Sequence, residues 1–290
     1  QDRKAAKAEH VNAHITLGLK GGRAEMATVK PYQEQRKTNE ELSYRVAQLR
    51  GRLATYTGHP TITVVVNIIQ EADDSLRQYQ GARIAEHGID SSVLQSGDKD
   101  LWFTDGKHIK DGVMHTVDGY GTTRYKEVGN VKPKLIGRGT SWFWHQMLMG
   151  DTADNIPGLP QVSARLMNEY LPTKTFNPKR KPAQCGEAKA VAILKGVTTD
   201  LEAMTRVFDA YVEHYNSVSV AEEMFVEQAY LLWIRRTSKL DDVLTYLNEV
   251  APHTHKLGLG WRFTKAQLIR LKGFIKAARI KQEQANEQDK

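Results

Sequence analysis

The chain has a single cysteine, Cys185, in 290 residues. One thiol excludes an internal disulfide and suits a reducing compartment. Long apolar runs are missing too. A membrane-spanning helix needs roughly 20 apolar residues, and the longest strong apolar stretch is the short "TITVVVNII" at 61–69. No signal-peptide pattern is present, so the expected location is the cytoplasm, with no membrane partner. The absence of GxxxxGK[ST] excludes a phosphate loop of that type, and the absence of HExxH leaves His10 and His14 without a zinc motif. His253 and His255 have no partners by spacing, and Cys185 lacks the surroundings of a nucleophile. There is no internal repeat. The first residue is Gln1 rather than Met, which reads as a fragment or a trimmed N-terminus.

Charge is abundant and unevenly placed. The formal net charge is +7, with apolar residues at 40% and charged residues at 26%, ordinary for a soluble globular chain. Residues 1–60 carry 11 Lys and Arg against 6 Asp and Glu, residues 61–160 carry 10 against 13, and residues 161–290 carry 20 against 15. An acidic middle between basic flanks suits a protein that grips a polyanion at its edges and gathers cations at its centre. Solvated basic faces would give the same totals.

Periodicity and punctuation predict the elements. "AHITLGL" (13–19) reads as a strand entering a Gly-rich turn. "TNEELSYRVAQLRGRLATY" (38–56) has apolar residues at helical spacing and a capping signal, Thr38 or Asn39 followed by Glu41. The β-branched run at 61–69 predicts a strand buried on both faces. A helix is predicted over 71–88, ended by Gly88, and another strand over 91–97. Strand, helix and strand at this spacing imply a parallel sheet covered by helices. Residues 101–140 read as β-rich, with a hairpin at "HTVDGYGTTRYKEV" (115–128). From about Ser141 the chain reads as mostly helical, with a basic proline-bearing loop at 177–184 and a basic amphipathic helix from 265 that frays into polar residues. Trp142, Phe143 and Trp144 could stack bases, although such a cluster on an apolar helix is more often core.

Three acidic clusters follow apolar elements. "TVVVNII" runs into Glu71, Asp73 and Asp74; "SVLQS" runs into Asp98 and Asp100; "WFWHQMLM" runs into Asp151 and Asp154. A parallel sheet delivers its strands' carboxyl ends to one edge, where open α/β folds place their sites. Carboxylates gathered there repel one another unless cations are bound. Oxygen donors without His or Cys select hard ions such as Mg2+ or Mn2+, and two such ions can clamp the attacking and leaving oxygens of a phosphodiester. Each cluster alone also reads as helix capping or turn chemistry; the three together favour a metal site.

"EADD", "SGDKDL" and "GDTADNIPGLP" resemble, in order and spacing, the motifs of the phage and bacterial 5′-nucleases, the flap endonuclease and 5′→3′ exonuclease family, whose last motif reads close to GD-x-x-DNIPG-x-x-G. The likeness runs from about Ala13 to Leu171. It implies an α/β fold of the PIN-like kind, a parallel sheet with a helical arch over residues 1–148, its opening strand missing. A helical region over 149–290 would follow, with a helix-two-turn-helix that grips duplex DNA. It implies that Glu71 and Asp73 serve one metal, that Asp98, Asp100 and Asp151 serve a second, and that Asp74 and Asp154 lie in or near that shell. "KPYQEQRK" matches the family's arch motif at Tyr32 and Arg36, implying catalytic roles for both and DNA contacts for Lys30, Arg36 and Lys37. In "IPGLPQVSARL", Gly158, Gln161, Ser163 and Arg165 fall where duplex phosphate is bound. The family's first Asp has no counterpart, its second falls at Leu19, its arch Lys at Gln33, and its turn glycines near Gln161 and Ser163.

The expectation is a monomeric hydrolase that cuts DNA at 5′ ends, flaps or nicks with up to two Mg2+ or Mn2+ ions. A structure-specific DNA-binding protein on the same fold without catalysis is the alternative. A small-molecule phosphatase would leave the basic flanks without a role.

Overall fold

A computed structural model describes residues 13–18, 22–34, 39–67, 70–110, 112–128, 131–171, 181–251 and 260–288. Leu19, Arg36, Lys37, His10, His253, His255 and the start of the basic loop at 177–184 lie outside the described residues.

The fold is mixed α/β. Strands β1 (Ala13–Gly18) and β2 (Ile62–Asn67) pair in parallel, with Ala13 opposite Ile62 and Gly18 opposite Asn67. A parallel pair needs a long crossover, and helices α1 (Arg23–Met26) and α2 (Glu40–Ala54) lie within it. Helix α2 starts at the predicted cap, where the Asn39 side chain accepts the Leu42 N–H at 3.1 Å. None of its residues is buried, and Leu42, Tyr44 and Leu49 are 59%, 65% and 57% exposed. Its apolar spacing therefore marks a free face rather than a core face. The β-branched run of β2 predicted burial on both faces. Instead Val66 is 51% exposed, because among the described residues only β1 pairs with β2.

Helix α3 (Ala72–His87) follows β2 and ends at Gly88, whose φ of 85° is open to glycine at no steric cost. Strand β3 (Val93–Gln95) pairs in parallel with β4 (Gly106–Lys110), and β5 (Val113–Val117) pairs antiparallel with β4. Among the described residues β2 and β3 thus belong to different small sheets, not to the one sheet expected from their spacing. Helix α3 packs against both β1 and the β3–β4 pair, and this bridging holds the two sheets together. The hairpin expected at 115–128 also divides. β5 pairs back to β4, and β6 (Thr122–Val128) pairs forward to β7 (Val131–Arg138). Gly119 and Gly121, both at positive φ, separate them.

Helix α4 (Thr140–Met149) is the centre of the core. Trp142, Phe143 and Trp144 are all buried on it, so they pack and do not stack bases. Beyond it come β8 (Gln161–Val162), α5 (Ala164–Tyr170), β9 (Ala183–Gln184), α6 (Glu187–Ile193), α7 (Asp200–Tyr215), α8 (Val218–Leu232), α9 (Asp242–Val250) and α10 (Lys265–Gln288), with β8 and β9 paired antiparallel. The Tyr211 hydroxyl of α7 donates to the Met147 carbonyl at 2.8 Å, and Trp144 Nε1 donates to Asp200 at 2.7 Å. One cluster of buried side chains runs from Met26 to Leu271, with residues on both sides of 148/149 contributing. Polar ties reinforce it. The buried Glu227 of α8 accepts the Thr28 N–H at 2.7 Å and the Val29 N–H at 3.3 Å.

Candidate metal centre

Three local devices deliver the acids. Glu71 caps α3 and places Asp73 in its first turn. A 3-10 turn over Asp100–Phe103 buries Leu101, Trp102 and Phe103, which fixes Asp100 at its start. At the end of α4, Gly150 takes φ 72° and the chain folds back so that Asp151 and Ile156 exchange backbone hydrogen bonds of 2.9 and 2.8 Å. The three devices open on one cleft of about 380 Å³ lined by Glu71, Asp73, Asp98, Asp100, Asp151 and Asp154.

The two sides of this cleft differ. On one side Glu71 meets Arg23 at 3.0 Å and the Tyr32 hydroxyl at 3.4 Å, while its Oε1 is buried with no hydrogen-bond partner among the described residues. Burial, and then the charges of Asp98 and Glu71, push the Asp73 carboxyl up to about 7. On the other side Asp100 and Asp151 are crowded with donors. Gln146 of α4 donates to Asp100 at 2.8 Å and to Asp151 at 3.2 Å, Trp142 Nε1 donates to Asp100 at 3.2 Å, and the Ala153 N–H donates to Asp151 at 2.8 Å. The Lys99 ammonium bonds both, Asp100 at 3.1 Å and Asp151 through a short contact. Burial opposes the Lys99 charge, but Asp100 and Asp151 outweigh it and hold its pKa above the ordinary lysine range.

Asp74 does not join this group. Its side chain is fully buried and turned away, bonded to Arg23 at 2.9 Å and to Arg235 at 3.0 Å, so both oxygens are already neutralised by the protein's own cations. Asp74, expected in or near a metal shell, does not line the cleft. Tyr32 is 7% exposed, not displayed on an arch, and its hydroxyl reaches Asp154 at 3.3 Å. The segment around it is stapled to the acidic loop. The Gln33 N–H donates to the Asp154 carbonyl and the Asn155 side chain donates to the Pro31 carbonyl, both at 2.8 Å. Lys30 is exposed.

The residues expected to meet duplex phosphate are mostly engaged. The buried Gly158 N–H donates to Gln228 at 3.1 Å. Ser163 caps α5 by accepting the Leu166 N–H at 3.1 Å, and its hydroxyl donates to Glu213. Arg165 is held by Glu169 and Asp209, each at 2.7 Å, and by Glu213. Gln161 alone of the four is exposed with no acid holding it among the described residues.

No family model, curated protein or solved structure matches this chain.

Sequence reasoning missed the polar lining residues Arg23, Gln146 and Arg50, the last an exposed residue of α2, and it missed Lys99, which bonds two of the cleft's acids. Gln146 had a signal, since it is a polar residue inside the apolar run WFWHQMLM, and it is 1% exposed. Among the described residues no three His, Cys, Asp or Glu side chains stand as a set that could hold an ion as placed, and the acids are interleaved with Arg23 and Lys99 instead. The donors nonetheless suit a hard cation. They are oxygens only, and two of the oxygens at the cleft, Glu71 Oε1 and Gln146 Oε1, are buried with no hydrogen-bond partner among the described residues.

Proposed function

We propose that this chain is a divalent-metal-dependent 5′-nuclease acting on DNA, with a PIN-like catalytic region and a helical DNA-binding region. The observation that carries the reading is the convergence of Glu71, Asp73, Asp98, Asp100, Asp151 and Asp154, drawn from three separate segments, on one open cleft. Gathering like charges in one cleft is costly unless cations compensate them; Lys99 does so for Asp100 and Asp151, while the Glu71–Asp73 side has less positive charge than acid. Glu71, Asp73 and Asp98 would hold one ion, and Asp100 and Asp151 would hold a second. Bound Mg2+ or Mn2+ supplies a Lewis acid for the phosphodiester and neutralises charge that develops on it. The chain's own groups position the rest. Arg23 and Tyr32 fix the Glu71 carboxylate, Gln146 aligns Asp100 with Asp151, and Arg50 brings positive charge to the rim for a phosphate. Exposed α2 takes the place of the family's arch, and α5 with α6 takes that of the duplex-gripping motif.

A second reading is a DNA-binding protein that does not cut. The cations already seated against the acids, Arg23 and Lys99, favour it. Incubation with 5′-flap, nicked and single-stranded DNA, with and without Mg2+, separates the two. The nuclease reading expects Mg2+-stimulated cleavage that Asp151→Asn lowers by roughly 100-fold or more in a protein that stays folded. Binding without any Mg2+-dependent cleavage selects the second reading.

A further inference from the structure

The two sides of the cleft carry similar acids but not similar cations. Beside Glu71 and Asp73, the protein's positive charge comes from Arg23, which is shared with Asp74 and anchored by the Trp233 carbonyl at 2.6 Å. Arg23 is 6% exposed and tied on three sides, so it cannot leave. It also leaves Glu71 Oε1 free of any hydrogen-bond partner among the described residues, and no hydrogen bond to the Asp73 carboxylate exists among them. That side is short of positive charge.

Lys99 differs in every respect. Its side chain is 42% exposed, it enters from the loop between Asp98 and Asp100, and its contacts in the cleft are to Asp100, Asp151 and, at 5.8 Å, the Trp142 ring. A flexible stem with a compact ammonium can swing to solvent at small cost. With Gln146 and Trp142 also donating, Asp100 and Asp151 are satisfied without a metal. An ion added between them must compete with a resident charge.

We propose that Lys99 is a built-in counter-cation that holds Asp100 and Asp151 together and must withdraw before an ion can settle there. The cleft then fills in a fixed order, the Glu71–Asp73–Asp98 side at low metal concentration and the Asp100–Asp151 side only at high concentration. This rests on the metal reading given above and adds to it a residue that sets the affinity of one position. It also implies that affinity is lowered at the second position only, since only there is a protein cation displaced.

The test is a Mn2+ titration of the full chain without DNA, reading free Mn2+ by electron paramagnetic resonance. The wild-type protein is expected to show one tight and one weak position. Lys99→Met keeps the length and removes the charge, and should tighten the weak position about tenfold while leaving the tight one in place. Lys99→Arg, which keeps a cation there, should resemble wild type. Asp73→Asn should remove the tight position and spare the weak one. Lys99 is partly exposed, so these variants should fold, which unfolding in EDTA checks. Superimposable titrations for wild type and Lys99→Met overturn the proposal, as does weaker binding in Lys99→Met. Absence of Mn2+ binding in every protein overturns the metal reading itself, a distinct result.

Discussion

Asp73 and Asp74 are neighbours in the first turn of α3, yet their carboxyls are pulled in opposite directions. For Asp74 burial is outweighed by Arg23 and Arg235, which hold it below the usual carboxylate range. For Asp73 burial combines with Asp98 and Glu71 to raise it to about 7. The signs follow from linkage. Asp73 contributes stability below about pH 4, the unfolded range, and that contribution is lost as pH rises through about 7. Asp74 contributes above about pH 4 and loses it as pH falls. In EDTA at pH 8, Asp73→Asn is therefore expected to stabilise the protein, by on the order of 2 kcal/mol, and to change little near pH 4. Asp74→Asn should destabilise it at pH 8 by roughly 3 kcal/mol, because two buried guanidiniums lose their shared anion. Urea unfolding at the two pH values measures both; an Asp73→Asn protein no more stable than wild type at pH 8 would sink the account. The motif "EADD" could announce an acidic helix start but not this division of labour. What turns Asp74 inward is Arg23, 51 residues earlier, and Arg235, 161 residues later, and no local pattern reports a partner that distant.

The elements that sequence located well are those whose ends are marked by local chemistry. Asn39 caps α2 and Gly88 ends α3, as the caps require. The elements it placed badly depend on what lies across from them. The β-branched run of β2 speaks of strand, but burial is set by the number of neighbouring strands and helices, and only β1 flanks it among the described residues. The acidic loop at 151–156 was legible as a turn, and its geometry adds the reason for its glycines. A Cβ on Gly158, at φ 63°, would collide with the Gly150 amide and stand 2.8 Å from the Leu148 carbonyl. The close pass of Gly158 against Gly150 is what closes the loop carrying Asp151 and Asp154. Gly158→Ala should therefore cost about 2 kcal/mol or more and lower the affinity for Mn2+. Gly81→Ala, on exposed α3 surface with no atom within 4 Å of the added Cβ, should be neutral or slightly stabilising. Equal stability of the Gly158 and Gly81 variants would contradict the close-packed loop.

At the scale of the whole molecule, charge is divided between groups that neutralise each other and groups that face solvent. Arg165 sits among Glu169, Asp209 and Glu213, so it has little positive potential to offer a phosphate. Helix α10 is different. Its buried stripe is Gln267, Leu271 and Ala278, and the opposite face carries Lys265, Lys272, Lys276 and Arg279, all exposed and without an ion pair among the described residues. A cation already paired releases no counterion when a phosphate arrives, whereas an unpaired one does. If duplex DNA is the partner, binding should weaken steeply with salt and should not need Mg2+. Neutralising about four phosphates predicts roughly a 100-fold loss of affinity between 50 and 200 mM salt. Replacing Lys272, Lys276 and Arg279 together by Gln should flatten the dependence of log K on log salt by up to about 2.7, roughly 0.9 for each phosphate no longer neutralised. Arg165→Gln should leave the slope unchanged. Fluorescence anisotropy on a labelled nicked duplex in EDTA, over a salt series, measures all three proteins. An unchanged slope in the triple variant removes α10 from the interface, and a slope changed by Arg165→Gln would show that its three acids give way to DNA.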